Sequence, residues 1–169
     1  MHEGSIILFP MADYPDTPSQ QWDPTGCTSH YDCINDGNID DPENLDLSNY
    51  LRGSPSTSGE QDEFEMTNIP GGPGFPDEIQ VNKITVHDFC ALGNHPPDRS
   101  SRIFFGNSYH SWTNIGCSDQ GNWAIQEWGV SGGKTDVNNL RVAITAAQPP
   151  IIGGAVFIRS MYVQVDYTY

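Results

Sequence analysis

The stretch AVFIRSMYVQVDYTY, residues 155–169, decides the fold. From Met161 onward, Met161, Val163, Val165 and Tyr167 fall on one side of an extended chain, and Gln164, Asp166 and Thr168 fall on the other. This period of two marks a half-buried β-strand. A slip of one residue would exchange the faces, so burial pins the register. We expect a central strand with its odd-numbered face in the core.

Shorter runs of the same kind precede it. SIILF (5–9) is apolar, and LDLSNYL (45–51) alternates before shifting to the face of Tyr50. DEFEMTNI (62–69) sets Phe64 and Met66 on one face and charge on the other. EIQVNKITVHDF (78–89) alternates, but its phase flips between Val81 and Ile84, which requires a bulge or a break. SRIFFGN (101–107), GNWAIQEWGV (121–130) and LRVAIT (140–145) supply further strands. TDVNNL (135–140) reads as one helical turn capped by Thr135 or Asp136. PGGPGFP (70–76) is turn material that cannot lie inside a sheet. About eight strands in one chain imply two packed sheets, since a single open sheet would leave an apolar face in water. The expected class is all-β: a jelly-roll-like antiparallel β-sandwich with long irregular loops over residues 21–169, preceded by an N-terminal strand or extended arm over 1–20.

Composition agrees with one β domain. The chain has 169 residues, with 17 Gly, 13 Pro and 11% aromatic residues, which suits short apolar runs joined by turns. Its net charge is −15 and is unevenly spread. Residues 1–65 hold 14 acids against Arg52 alone, a balance of −13, and 66–169 hold the other 8 acids against 6 basic residues, a balance of −2. Nucleic-acid binding needs Lys and Arg to displace counterions, and anionic membranes repel such a surface, so neither is an expected partner. No run approaches the about 20 apolar residues of a membrane-spanning helix, and Ile6 to Phe9, following Glu3 and ending at Pro10, is no signal peptide.

Four cysteines, Cys27, Cys33, Cys90 and Cys117, fit no zinc or redox spacing. Cys27 with Cys33 closes a small loop and Cys90 with Cys117 ties neighbouring strands, as in an oxidising exterior. Four buried thiols acting as small apolar residues is the competing reading.

DCINDGNIDDPE (32–43) invites comparison with a calcium loop. Asp32, Asp36, Asn38, Asp40 and Glu43 take ligand positions around Gly37, yet Ile34 occupies a ligand position and Pro42 stands where the exiting helix should begin. The stretch therefore reads as an acidic turn whose Asp and Asn side chains bond turn amides. No metal or other cofactor is expected. The five histidines have no metal spacing, Ser108 and Ser111 beside His110 lack a nucleophile elbow, and SGGK (131–134) lacks phosphate-loop spacing. No catalytic residue is assigned. Tyr109, Trp112, Trp123 and Trp128 crowd one third of the chain. Trp123 and Trp128 are an odd number of residues apart, so a straight strand sends them to opposite faces, one of them outside the core.

Taken in order, WDPTG, INDGNIDDPE, DEFEMTNIP, IQVNKITV, TDVNNLRVAI and IRSMYVQVDYTY resemble a family of β-sandwich domains from bacteriophage virion proteins and bacterial surface and extracellular repeat proteins. Its terminal Y-V-x-V-D-Y pattern is met by Tyr162, Val163, Val165, Asp166 and Tyr167. The resemblance spans most of residues 20–169, and the cysteines and the 70–76 turn depart from it. It implies a structural or adhesive jelly-roll module without a catalytic set.

The expected function is a non-enzymatic subunit that self-assembles in a phage virion, as a capsid decoration, tail or fibre component. One alternative is a subunit of a bacterial or archaeal extracellular filament polymerised by strand or loop exchange. Another is a carbohydrate-binding or adhesion module, favoured if exposed aromatic rings lie coplanar. Expected partners are copies of the chain, another virion or surface protein, and glycans, and the expected location is a virion surface or extracellular filament. The interface candidates are Ile6, Ile7, Leu8 and Phe9, as a segment given to a neighbouring copy, with Trp112, Trp123 and Trp128.

Overall fold

The computed structural model describes residues 1–15, 22–35, 48–53, 60–69, 75–94, 98–147 and 154–169. Among these, in chain order, are β1 (Glu3–Leu8), β2 (Pro10–Asp13), β3 (Asp23–Thr25), a 3-10 turn (Tyr31–Cys33), β4 (Tyr50–Gly53), β5 (Glu60–Met66) and β6 (Gln80–Leu92). There follow β7 (Asp98–Phe105), β8 (Ser108–Tyr109), β9 (Thr113–Asn114), β10 (Asn122–Gly132), the helix α1 (Lys134–Asn138), β11 (Arg141–Ala147) and β12 (Val156–Thr168).

Two antiparallel sheets pack as a sandwich. The first has the order β10-β6-β12-β4-β3, with β1 also on β12; the second has β2-β5-β11-β7-β8, with β9 also on β7. From β4 to β7, and again from β10 to β12, each strand of the chain crosses to the opposite sheet. This alternation between sheets, with the β7–β8 hairpin kept inside the second sheet, is the winding of a jelly roll. Residues far apart in sequence are thereby brought together, a high contact order that implies slow folding.

β12 is central as its alternation requires, flanked by β6 on one side and by β4 and β1 on the other. Met161, Val163, Val165 and Tyr167 are buried, and Gln164, Asp166 and Thr168 face outward. Upstream, Val156 and Ile158 also point inward; the change of parity is absorbed by a register shift between Ile158 and Ser160. The expected irregularity in β6 falls on Asn82. Asp166 pairs with Lys83 and Tyr167 with Val81, leaving Asn82 without a partner on β12, and β10 shifts register at the same level. A bulge thus restores inward phase to both Val81 and Ile84.

The first correction concerns the N-terminus. β1 runs antiparallel along β12 of its own chain, from Glu3 opposite Thr168 to Leu8 opposite Val163. After Phe9 the chain crosses to the second sheet, where β2 pairs with β5. Leu8 is buried and Ile6 packs on the core, so residues 3–13 pair within their own chain and staple the two sheets together, where a free extended arm was expected. The close fit depends on Gly4, since a Cβ there would stand 2.7 Å from the Tyr167 ring.

The second correction concerns α1. Its N-cap is Gly133, and the Asp136 carboxylate accepts the Gly133 amide at 2.8 Å. Asp136 therefore occupies the third helical position and bonds back to the cap, rather than serving as the cap itself.

The described part of the excursion between β2 and β4, residues 22–35, is tied down by carboxylates. Asp62 of β5, fully buried, accepts the Trp22 amide at 3.2 Å and lies 2.6 Å from His30 Nδ1. Asp13 accepts the amides of His30 and Tyr31 at 3.1 and 2.7 Å. Trp22 is thus held with 1% exposure, covering Gly53. Cys27–Cys33 and Cys90–Cys117 are both disulfides, with Cα separations of 5.3 and 5.5 Å. Of the two readings of the cysteines, the paired one describes this molecule. No helix among the described residues is long and apolar enough to cross a membrane.

Candidate functional site

The outer face of the β2-β5-β11-β7-β8 sheet carries a stack of cations and rings, and it starts from a turn. Gly106 and Asn107, at φ of 59° and 66°, form the two-residue connection between β7 and β8. Two successive left-handed residues match the twist of a tight hairpin. This turn places Tyr109 across from Phe104, with ring centroids 5.1 Å apart at 71°.

Two arginines fit between such rings. Arg102 lies 3.9 Å from the Tyr109 ring centre and 4.3 Å from that of Trp112. Arg141, the first residue of β11, lies 3.9 Å from both Tyr14 and Phe104. A planar guanidinium can lie flat on an aromatic face, with about 0.5–2 kcal/mol per contact. Glu63, only 3% exposed although its side chain lies on the outer face, accepts the Tyr109 hydroxyl at 2.9 Å and stands 3.4 Å from Arg141 Nε. Burial, reinforced by the Glu63 carboxylate, raises the Tyr109 pKa above its ordinary value. Tyr109 therefore stays protonated and donates its hydroxyl hydrogen.

Beside this stack lies an open groove of about 520 Å³. Tyr14, Phe104 and Met11 form its apolar part, while Asn68, Asn107 and Glu65 stand among its polar lining. The end of α1 closes the far side. There Asn138 Oδ1 accepts the Ile69 amide at 3.0 Å, and Asn139 Nδ2 donates to the Thr135 carbonyl at 3.0 Å. Among the described residues each of these two amides is bonded at one end.

The sequence-derived candidates are distributed otherwise. Trp112 is 38% exposed at the end of the arginine stack. Trp128 is buried, 7% exposed, and its Nε1 donates to the Ser111 carbonyl at 3.1 Å, which anchors the loop that carries Trp112. It is a core residue and so is corrected as a surface candidate. Trp123 is half-buried on the other face of β10, as parity requires. There it meets Phe89 and Tyr162 edge to face, and Tyr162 stacks on His87 at 4.3 Å and 9°. Ile7 points outward from β1, while Leu8 is inside and Phe9 sits at the crossover.

Of the calcium candidates, Asp32 is described. Its carboxylate accepts the Thr28 hydroxyl at 2.8 Å, and bonds from Thr28 and Ser29 hold its pKa below the ordinary value. It bonds a hydroxyl of its own turn, where a turn amide was expected. Asp36, Asn38, Asp40 and Glu43 lie outside the described residues. Among the described residues no three His, Cys, Asp or Glu converge as a metal set.

Sequence reading missed Arg102, Glu63, Tyr14, Asn107 and Arg141 as a group. The one local signal was the Gly-Asn pair at 106–107, which marks a tight hairpin and hence the return of Tyr109 over Phe104. Comparison of the chain with protein-family models gave no match, and neither did comparison with curated proteins.

Proposed function

We propose that this chain is a non-enzymatic structural subunit that associates through an open sheet edge, in a particle or surface layer exposed to an oxidising exterior. A phage virion component is the first reading. The observation that carries it is β10. Among the described residues β6 is its sheet partner, which leaves the other edge of an eleven-residue strand open. Monomeric sandwiches guard such edges with Lys, Pro or early bulges. Over residues 122–128 β10 has no Lys, Pro or bulge; its one charge, Glu127, is paired with Lys83 of β6 at 3.1 Å, and the strand exposes Ile125 by 59%. A second copy pairing there would satisfy a row of backbone groups and cover Ile125 and its neighbour Trp123. The two disulfides support an oxidising location.

The filament alternative relied on SIILF as a donated strand, and the pairing of β1 with its own β12 removes that support. The glycan alternative gains support from a different place than the tryptophans, the groove beside Arg141.

Light scattering and negative-stain electron microscopy of purified native material test the proposal. We expect rings, filaments or larger particles from the natural chain and monomers from Ile125→Lys, with unchanged far-UV circular dichroism. A natural chain that stays monomeric at high concentration, or an Ile125→Lys variant that assembles equally well, would refute it.

A further inference from the structure

We propose that the groove beside the Arg141 stack binds a neutral saccharide chain. This inference is independent of assembly through β10.

The electrostatics exclude charged ligands first. Arg141 has rings at 3.9 Å on Tyr14 and Phe104 and its Nε directed at Glu63, so its charge is already engaged. Glu65 stands opposite Arg141 in the strand register and adds one carboxylate beside it. The groove thus has no surplus cation to hold a phosphate or sulfate, and a chain of net charge −15 repels polyanions. One carboxylate next to a guanidinium is equally poor at selecting a cation.

What remains is a dense set of amides. Asn68, Asn107, Asn138 and Asn139 all line the groove. A side-chain amide both donates and accepts, which is the requirement for neighbouring hydroxyls that each do the same. The fixed ends divide the work: Asn138, holding the Ile69 amide through Oδ1, offers donors, and Asn139, donating to Thr135, offers an acceptor. Asn107 is carried on a left-handed hairpin turn whose backbone has little freedom. Met11, 40% exposed, and Tyr14 give an apolar wall for the C–H face of a sugar ring. A volume of about 520 Å³ lies within the usual range of ligand sites, and the open form admits a chain rather than a single ring.

Isothermal titration calorimetry of the native protein with cellohexaose, chitohexaose, mannohexaose and maltohexaose tests this. We expect saturable binding of at least one of them. Asn68→Ala combined with Asn107→Gly, which keeps the left-handed turn, should weaken it about tenfold. Trp123→Ala on the opposite sheet should leave it unchanged. Thermal midpoints of the variants check folding, and Asn68→Ala alone provides a second variant. No saturable heat with any of the four sugars would overturn the proposal. So would equal affinity in the groove variants, loss in Trp123→Ala alone, or saturable binding of an uncharged Gly-Ser decapeptide in place of the sugars. Loss of assembly in Ile125→Lys with retained sugar binding would separate the two proposals.

Discussion

Asp88 offers the sharpest test of the core. It lies in β6 between Ala124 of β10 and Met161 of β12, fully buried, and neither carboxylate oxygen has a hydrogen-bond partner among the described residues. Desolvation pushes its pKa from an ordinary 3.8 up to about 8. The sign follows from linkage. Here the folded state holds the proton more tightly than the unfolded chain, so stability is lost as pH rises above the unfolded pKa and levels off once the folded pKa is passed. At about 1.4 kcal/mol per pH unit, the cost is on the order of 2 kcal/mol at pH 5 and about 5–6 kcal/mol at pH 8.5. Between those two values the protein should lose about 4 kcal/mol through this one side chain.

Asp88→Asn keeps the shape and removes the titration. Urea unfolding with both disulfides intact, at pH 5, 7 and 8.5, reads the effect as a shift in midpoint at constant slope. His30 produces a change of the same sign, but it sits on Asp62 in the other sheet, so the difference between natural chain and variant cancels it. The expected result is a variant that gains on the natural protein steadily as pH rises and is the more stable of the two at pH 8.5. Parallel pH dependences for the two proteins would refute the reasoning, because they would mean that Asp88 ionises in the folded state as easily as in the unfolded one.

Three further outcomes are expected. The Asp62 hydrogen bond raises the His30 pKa above 6.5, so its stabilising contribution is full below the unfolded pKa and fades as pH rises through the folded one; His30→Ala should cost more at pH 5 than at pH 9 in urea melts. Replacing Cys90 and Cys117 by Ser releases a span of 27 residues and should cost about 3.5 kcal/mol, against about 2 kcal/mol for the span of 6 between Cys27 and Cys33, both measured by thermal unfolding. Gly53→Ala would set a Cβ 2.8 Å from the Trp22 ring, and we expect a loss of about 1–3 kcal/mol with a changed tryptophan fluorescence spectrum.

Where sequence reading succeeded, the information was local. The alternation from Met161 to Tyr167, the phase flip at Asn82 and the opposite facing of Trp123 and Trp128 are all statements about parity along one strand. Parity is set by the pleat, so it can be counted without knowing any partner. Where it failed, the deciding contact lay far along the chain. SIILF reads as an unpaired apolar segment because nothing near it reveals that Gly4 makes room for the Tyr167 ring. Asp62 shares the inward parity of Phe64 and Met66, and only the folded chain brings it the Trp22 amide and His30 as partners. Asp88 defies its pattern altogether, being a carboxylic acid on an inward position, and such conflicts between a residue and its place concentrate the measurable pH dependence of a fold.

The groove shows the same division at the level of function. Binary patterning sorts residues as inward or outward, and the charged side chains Glu63, Arg102 and Arg141 fall outward as it requires, while the apolar Phe104 is sent outward by strand parity alone. Outward is not the same as solvated. Ala143 stands opposite both Glu63 and Arg102 in the register, and its small side chain leaves room above the sheet for the long ones to lean together. Tyr14 and Tyr109 then cover them from the β2 end and the β8 hairpin, so a carboxylate that would be hydrated on an ordinary sheet is left 3% exposed. Partners drawn from residues 14 to 141 can meet only once the jelly-roll winding has stacked β5, β11 and β7. The charged pair fixes the rings, the rings fix one wall of the groove, and the asparagines at 68, 107 and 138–139 complete it. Disrupting Glu63 should therefore loosen the groove from beneath before it affects the core, a consequence of building a binding surface on the outside of a sheet whose inside is already packed.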